Sequence, residues 1–102
     1  MALTSKQRAM LRGLASKENV VVTIGKGGIT DHTVSEMNNA LKARELVKGR
    51  VLDNTLITAR EACDTLASAC QAEAVQVIGS VFVLFKRNPQ EPKIDLKKDR
   101  KK

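Results

Sequence analysis

Aromatic side chains are almost missing from this chain: its 102 residues include no tryptophan, no tyrosine and two phenylalanines, Phe82 and Phe85. Modules that read single strands by stacking bases on exposed rings need such platforms, so RRM and cold-shock types of surface are excluded. Cysteine is scarce too. Cys63 and Cys70 stand seven positions apart in a helical pattern, which separates them by about 10 Å along an axis rising ~1.5 Å per residue. That is too far for a bridge within one helix, so two reduced, buried thiols in a reducing compartment are expected. No apolar run is long enough to span a membrane, and residues 1 to 20 lack the apolar segment of a signal peptide. A soluble, cytoplasmic protein is the expectation.

What the chain does have is positive charge, and it is unevenly placed. The formal charge is +7 and the sequence pI about 9.8, a balance that points to a polyanionic partner. Residues 1 to 85 carry ten Lys/Arg against eight Asp/Glu, whereas residues 86 to 102 carry eight against three. Any basic face on the folded part must therefore come from placement. Length and a 42% hydrophobic content suit one domain with a real core.

The most specific stretch is Ile24-Gly25-Lys26-Gly27-Gly28-Ile29-Thr30. It joins the β-branched run Val20 to Ile24 to a polar helix start, so it links a strand to a helix. Its glycines free the backbone and let another backbone approach closely. The turn would present N–H groups near the positive end of a helix dipole, with Lys26 as its one side chain, which makes a phosphate site. A Gly-x-x-Gly loop that clamps a nucleic-acid backbone is the device of KH domains. An isolated GKGG is more often a turn needed only for geometry, so the surroundings decide.

Thr4 and Gln7 form a capping box that opens a helix to about residue 16, with Leu3, Gln7, Met10, Leu11 and Leu14 on one side. Lys6, Arg8 and Arg12 lie off that stripe. Such residues usually form a solvated face, but no acidic neighbour precedes Glu18, which favours binding. Val20 to Ile24 barely alternates and reads as a largely buried strand. A second helix follows over about 31–43, capped by Thr30 or Asp31, with Val34, Met37 and Leu41 inward; His32 is an exposed residue of its first turn, at most a hydrogen-bond donor to a phosphate. Residues 45–52 alternate as a strand, with Val47, Gly49 and Val51 on one face and Leu46, Lys48, Arg50 and Leu52 on the other. Lys48 and Arg50 extend a basic surface or simply face water. After a turn at Asp53-Asn54-Thr55, a third helix runs from Thr58 to about Glu73. Its stripe of Ala59, Ala62, Cys63, Leu66, Ala67 and Cys70 is small enough to lie close on a sheet. Val75 to Ile78 and Val81 to Phe85 are strands joined by Gly79-Ser80, which suits a type II′ hairpin. Pro89 and Pro92 mark a linker, and residues 88–102 read as a basic, disordered tail that adds non-specific attraction to phosphate.

The order helix-strand-helix-strand-helix-strand-strand predicts an α/β fold: a single two-layer domain over residues 1–87 with a four-stranded mixed sheet. Right-handed crossovers make the first three strands parallel and the last antiparallel. The glycine loop then falls at the edge where those three strands end, the usual ligand edge of open α/β sheets.

Five blocks, taken together, carry a resemblance. They are Leu3-Thr4-x-Lys6-Gln7-Arg8-x-x-Leu11-Arg12, the glycine loop, Glu45-Leu46-Val47-Lys48, Val75-Gln76-Val77-Ile78-Gly79 and Val83-Leu84-Phe85-Lys86-Arg87. In order and spacing they resemble the CRM domain (chloroplast RNA splicing and ribosome maturation), in its bacterial stand-alone YhbY-type form. The resemblance implies an RNA-binding domain similar in fold to the C-terminal domain of translation initiation factor three, associated with precursors of the large ribosomal subunit. It implies RNA contact by Gly25, Lys26, Gly27 and Gly28, with Lys6, Arg8 and Arg12 beside them. The chain departs from the pattern at Ala15-Ser16, where many members have Ala-His, at Asn19 for a usual proline, and at Gly49 for a branched apolar residue.

Three function classes are weighed. The first is a non-enzymatic module that recognises structured ribosomal RNA by its backbone, through the loop, Lys26, Arg8, Arg12, Lys48 and Arg50, as a monomer without cofactor, metal or small-molecule substrate. The second, a phosphohydrolase, needs Ser or Thr after the loop lysine to hold magnesium; Gly27 stands there, and no metal cluster or nucleophile motif is visible. The third is a DNA-binding architectural protein, which basicity alone permits.

Overall fold

Threonine opens each helix among the described residues. The side chains of Thr4, Thr30 and Thr58 accept the backbone N–H of Gln7, Thr33 and Glu61, whose side chains in turn accept the cap N–H, so each start is a reciprocal capping box. Each such cap stabilises by about 1 kcal/mol. The computed structural model describes residues 3–53 and 55–88. These form α1 (Ser5–Ala15), β1 (Val20–Ile24), α2 (Asp31–Arg44), β2 (Leu46–Val51), α3 (Ala59–Cys70), β3 (Glu73–Ile78) and β4 (Val81–Phe85). Apart from Asn88, the expected tail lies outside the described residues, as does Asn54 of the expected turn. Among the described residues no helix is long and apolar enough to cross a membrane.

The sheet order is β1-β2-β4-β3. β1 and β2 are parallel, while β4 is antiparallel to both β2 and β3. The first three strands therefore share one direction and β4 opposes them, as the crossovers require. β4 is inserted between β2 and β3 and is covered on both sides: Phe82 and Leu84 join the core beneath α2 and α3, whereas Val83 and Phe85 join Leu46 and Val75 beneath Leu11 and Ala15 of α1.

That division corrects the expected two layers. α1 packs on the face opposite α2 and α3, giving helix, sheet and helices in three layers. The physical reason is that Leu46, Val75, Val83 and Phe85 place apolar side chains on the second face, which needs a cover of its own. The inward stripe of α1 is also turned by one position, so that Ala15 is buried and Leu14 is 38% exposed.

Other differences have local causes. β1 is an edge strand rather than a buried one: Val22 and Ile24 face the core, but Val21 is 37% exposed because α1 does not reach over it. β2 starts at Leu46, since Glu45 has φ 65° and ψ −41°, a conformation no strand uses. α3 stops at Cys70 because Gln71 turns left-handed, at φ 56°, and β3 begins two residues earlier than expected. The hairpin is as expected: Ile78 pairs with Val81, and of the two turn residues Gly79 alone has positive φ, at 59°.

Gly49 has a packing reason. A Cβ there would stand 2.4 Å from Cζ of Phe82, its antiparallel partner in β4. The fully buried Phe82 ring thus fills the space that a side chain at residue 49 would take. A Gly49→Val substitution forces the ring off its site and costs about 3 kcal/mol or more. The double variant Gly49→Val/Phe82→Val should recover a substantial part of this loss. A double-mutant cycle of urea midpoints checks it; additive losses would show that the two positions are independent.

Both cysteines are free and buried on the α3 face of the sheet, without a bridge. Burial pushes the Cys63 thiol from 9.0 up to about 11, with the Asp64 carboxylate adding to the effect and Arg60 opposing it. Burial also raises Cys70. The native state therefore keeps a proton that the unfolded chain releases above pH 9, so stability is full below pH 9 and declines as pH rises towards 11. Cys63→Ala should flatten that decline in urea midpoints measured from pH 8 to 11, and an unchanged slope would assign it to other groups.

Candidate nucleic-acid interface

The β1–β2 pairing runs one step past the strands, with Leu52 N–H donating to the Ile24 carbonyl at 2.9 Å. There the chain turns. Gly25-Lys26-Gly27-Gly28 is a β-turn closed by the Gly28 N–H on the Gly25 carbonyl at 3.0 Å, with Lys26 and Gly27 exposed at its tip. Among the described residues, none accepts a hydrogen bond from the N–H of Lys26 or Gly27.

The three glycines are not equivalent. Gly28, at φ 72°, needs glycine for its backbone. A Cβ on Gly25 would lie 3.7 Å from Leu52 Cδ1, an ordinary contact, and one on Gly27 would meet nothing within 4 Å. The fold thus accounts for Gly28 and leaves Gly27 without a structural reason. What a bare tip does provide is access for another backbone.

The positive end of α2 is largely answered from within. Thr30 and Thr33 cap it, and Asp31 adds a carboxylate to the first turn. The helix end is thus occupied by its own caps, and the exposed N–H groups and the Lys26 ammonium at the loop tip stand free of it. His32 is exposed beside it. Next to the loop, Thr55 braces the segment after β2 by its Oγ1, 2.9 Å from the Leu52 carbonyl and 3.1 Å from that of Ile57, leaving Leu56 98% exposed.

The other cations fall into separate groups. Lys48 and Arg50 share the sheet face that α1 partly covers, because side chains two apart on a strand point the same way. Lys48 and Arg12 line one groove between α1 and the sheet, with Ser16, Gln76, Ile78, Val81 and Val83. Lys48 Nζ donates to the Glu18 carbonyl at 3.2 Å. Arg50 is exposed, pairs with Thr23, and so lies one residue short of the strand ends, next to the edge that carries the glycine loop.

Arg8 is elsewhere. Its half-buried guanidinium donates to the Ala74 carbonyl at the start of β3, where a bulge between Ala74 and Gln76 breaks the ladder. It satisfies a carbonyl that the bulge disturbs, a structural task at the far edge of the sheet. Lys6 is exposed in the first turn of α1. The structure thus brings Arg12 and Lys48 together, places Arg50 further along the same strand face, sets Lys26 at the adjoining edge, and takes Arg8 away from them.

Glu45 was not visible as a special residue. It is fully buried; its carbonyl accepts Lys86 N–H at 2.9 Å and its carboxylate accepts Asn88 N–H at 2.6 Å, which pins the chain leaving β4. Gln76, Ile78 and Val81, in pattern ordinary strand residues, also line the groove. The one available signal was the polar Gln76 between Val75 and Val77.

The profile of the CRS1/YhbY (CRM) domain matches residues 3–86. The chain belongs to the CRM domain family. Probable RNA-binding protein YqeI of Bacillus subtilis is 34% identical over 94 residues, covering 92% of this chain and 98% of its own length. A protein of Haemophilus influenzae named RNA-binding protein is 36% identical over 94 residues, covering 92% and 94%. Among solved structures, the hypothetical protein SAV1595 of Staphylococcus aureus matches with a TM-score of 0.77 at 37% identity, covering 92% of this chain and 98% of that one.

Within this CRM domain the assignment of Arg8 is open to a direct check. Arg8→Ala should lower stability by about 1–2 kcal/mol, the cost of removing a charged donor from a carbonyl, while Lys6→Ala changes it little. Equal thermal midpoints for the two variants would show that the Arg8 contact does not contribute.

Proposed function

We propose that this CRM domain is a non-enzymatic RNA-binding module that recognises structured ribosomal RNA by its backbone and acts in assembly of the large ribosomal subunit. The observation that carries the reading is the exposed Lys26-Gly27 tip, where N–H groups without an acceptor among the described residues and a glycine the fold does not need lie beside an ammonium. Names of the relatives support RNA as the partner; the resemblance to ribosome-maturation CRM domains supports ribosomal RNA. The loop N–H groups and Lys26 hold one or two phosphates, and Arg50, Lys48 and Arg12 take neighbouring ones across the sheet face. Shape, rather than base identity, selects the paired part of the RNA, since an A-form helix hides its base edges. On this reading the protein works as a monomer in the bacterial cytoplasm, without cofactor, metal, membrane or small-molecule substrate.

The test is a salt-resolved anisotropy titration of large-subunit ribosomal RNA fragments, with duplex DNA as competitor. Gly27→Ala should leave the thermal midpoint unchanged or slightly raised and weaken RNA binding about tenfold, on the scale of one or two charge-assisted hydrogen bonds. Lys26→Glu should weaken it further, and affinity should fall steeply with salt. Wild-type affinity in both variants, or equal competition by duplex DNA at physiological salt, overturns the proposal.

A further inference from the structure

α1 crosses only part of its face of the sheet. Beneath it Leu46, Val75, Val83 and Phe85 are buried, but towards the strand ends Ile78 remains 64% exposed and Arg50 faces outward. Between helix and open sheet lies a groove of about 410 Å³, lined by Arg12, Ser16, Lys48, Gln76, Ile78, Val81 and Val83. We infer that this groove takes one unpaired nucleotide of the bound RNA, with its base on the aliphatic floor and its phosphate between Arg12 and Lys48. The inference rests on the RNA-binding reading and deepens it, by naming an unpaired nucleotide next to the paired segment as part of the target.

Three observations carry it. The groove is at the lower end of the roughly 300–1,000 Å³ of small-molecule pockets, a size for one nucleotide and far too small for a helix. Its lining pairs two cations with apolar side chains and contains no carboxylate, which matches a ligand having an anionic end and a flat, weakly polar body. Finally, Gln76 brings an amide to that lining, and among the described residues the amide has no hydrogen-bond partner. One donor and one acceptor side by side fit the N6 and N7 edge of adenine. Ser16 donates its hydroxyl to the Gly13 carbonyl at 2.7 Å and keeps lone pairs towards the groove, while Lys48 uses one of three donors on Glu18. With so few aromatic residues, base capture here depends on Ile78, Val81 and Val83, a role that aliphatic side chains also fill around flipped bases. Arg50, exposed on the same face, connects the groove to the loop edge, so one RNA backbone can reach both.

The experiment compares three RNA hairpins by anisotropy: fully paired, with a single bulged adenosine, and with an abasic residue at the bulge. Wild-type protein should favour the adenosine bulge about tenfold over the other two, a difference of about 1.4 kcal/mol. Gln76→Ala and Ile78→Ala, both at partly or largely exposed positions, should remove that preference and leave affinity for the paired hairpin unchanged. Lys26→Glu should weaken all three hairpins alike. Equal binding of the three hairpins by wild type, or a preference that survives both groove variants, overturns the inference; a paired hairpin still sensitive to Lys26→Glu then shows that the loop reading stands. The groove would in that case be a protein contact or a plain gap between helix and sheet. Binding insensitive to Lys26→Glu and to both groove variants sinks the two readings together.

Discussion

Phe82 and Gly49 occupy one space between them, and much of the arrangement depends on that exchange. The ring closes over the bare backbone of β2 from its partner position in β4. This locks the register of the two central strands, because a slip by one residue would turn Phe82 to the α1 face and drive a side chain into the ring. With the register set, Lys48 and Arg50 are held on the face away from α2 and α3, and Val47 and Val51 go into the core. The bare position in β2 is therefore matched by an aromatic residue across the ladder. A large residue on one strand compensates for the smallest on the next.

Charge on the folded part is divided by task. Arg8 mends a bulge, Lys48 is half committed to the end of the α1–β1 connection, and Arg44 faces Glu18 at 3.8 Å across an exposed surface, a pair of little energetic weight. Lys26, Arg12 and Arg50 are left for solvent or a partner. Two of these adjoin the sheet edge where three parallel strands end. Of the carboxylates, Glu45 and Glu18 are engaged at the start of β2 or before it, while Asp31 lies in the first turn of α2 beside the loop, so a basic face at that edge rests on where Lys26 and Arg50 are placed.

The glycines divide in the same way. Gly28 and Gly79 hold backbone angles that other residues resist, and Gly49 yields space to a ring. Gly27 does neither. It sits bare at the loop tip, where the lack of a side chain leaves room for another backbone.

Element types, cap residues, the hairpin and the direction of every strand were legible in the sequence, because they follow from local rules: hydroxyl caps, β-branched runs, Gly-x turns and right-handed crossovers. So was the loop, since three glycines around one lysine concentrate a rare chemistry in a few positions. The burial of Glu45 and the left-handed Gln71 were not, as each depends on a neighbour distant in sequence or on a chain reversal that residue type does not signal. Nor was the second helical layer, which arises when β4 enters between β2 and β3 and its odd-numbered residues need a cover. The cations show the limit most plainly. Arg8 and Arg12 are one helical turn apart and look alike in sequence, yet one is spent on a strand bulge and the other faces a groove. Only the crossing of α1 over the sheet decides which, because that contact joins residues more than sixty positions apart.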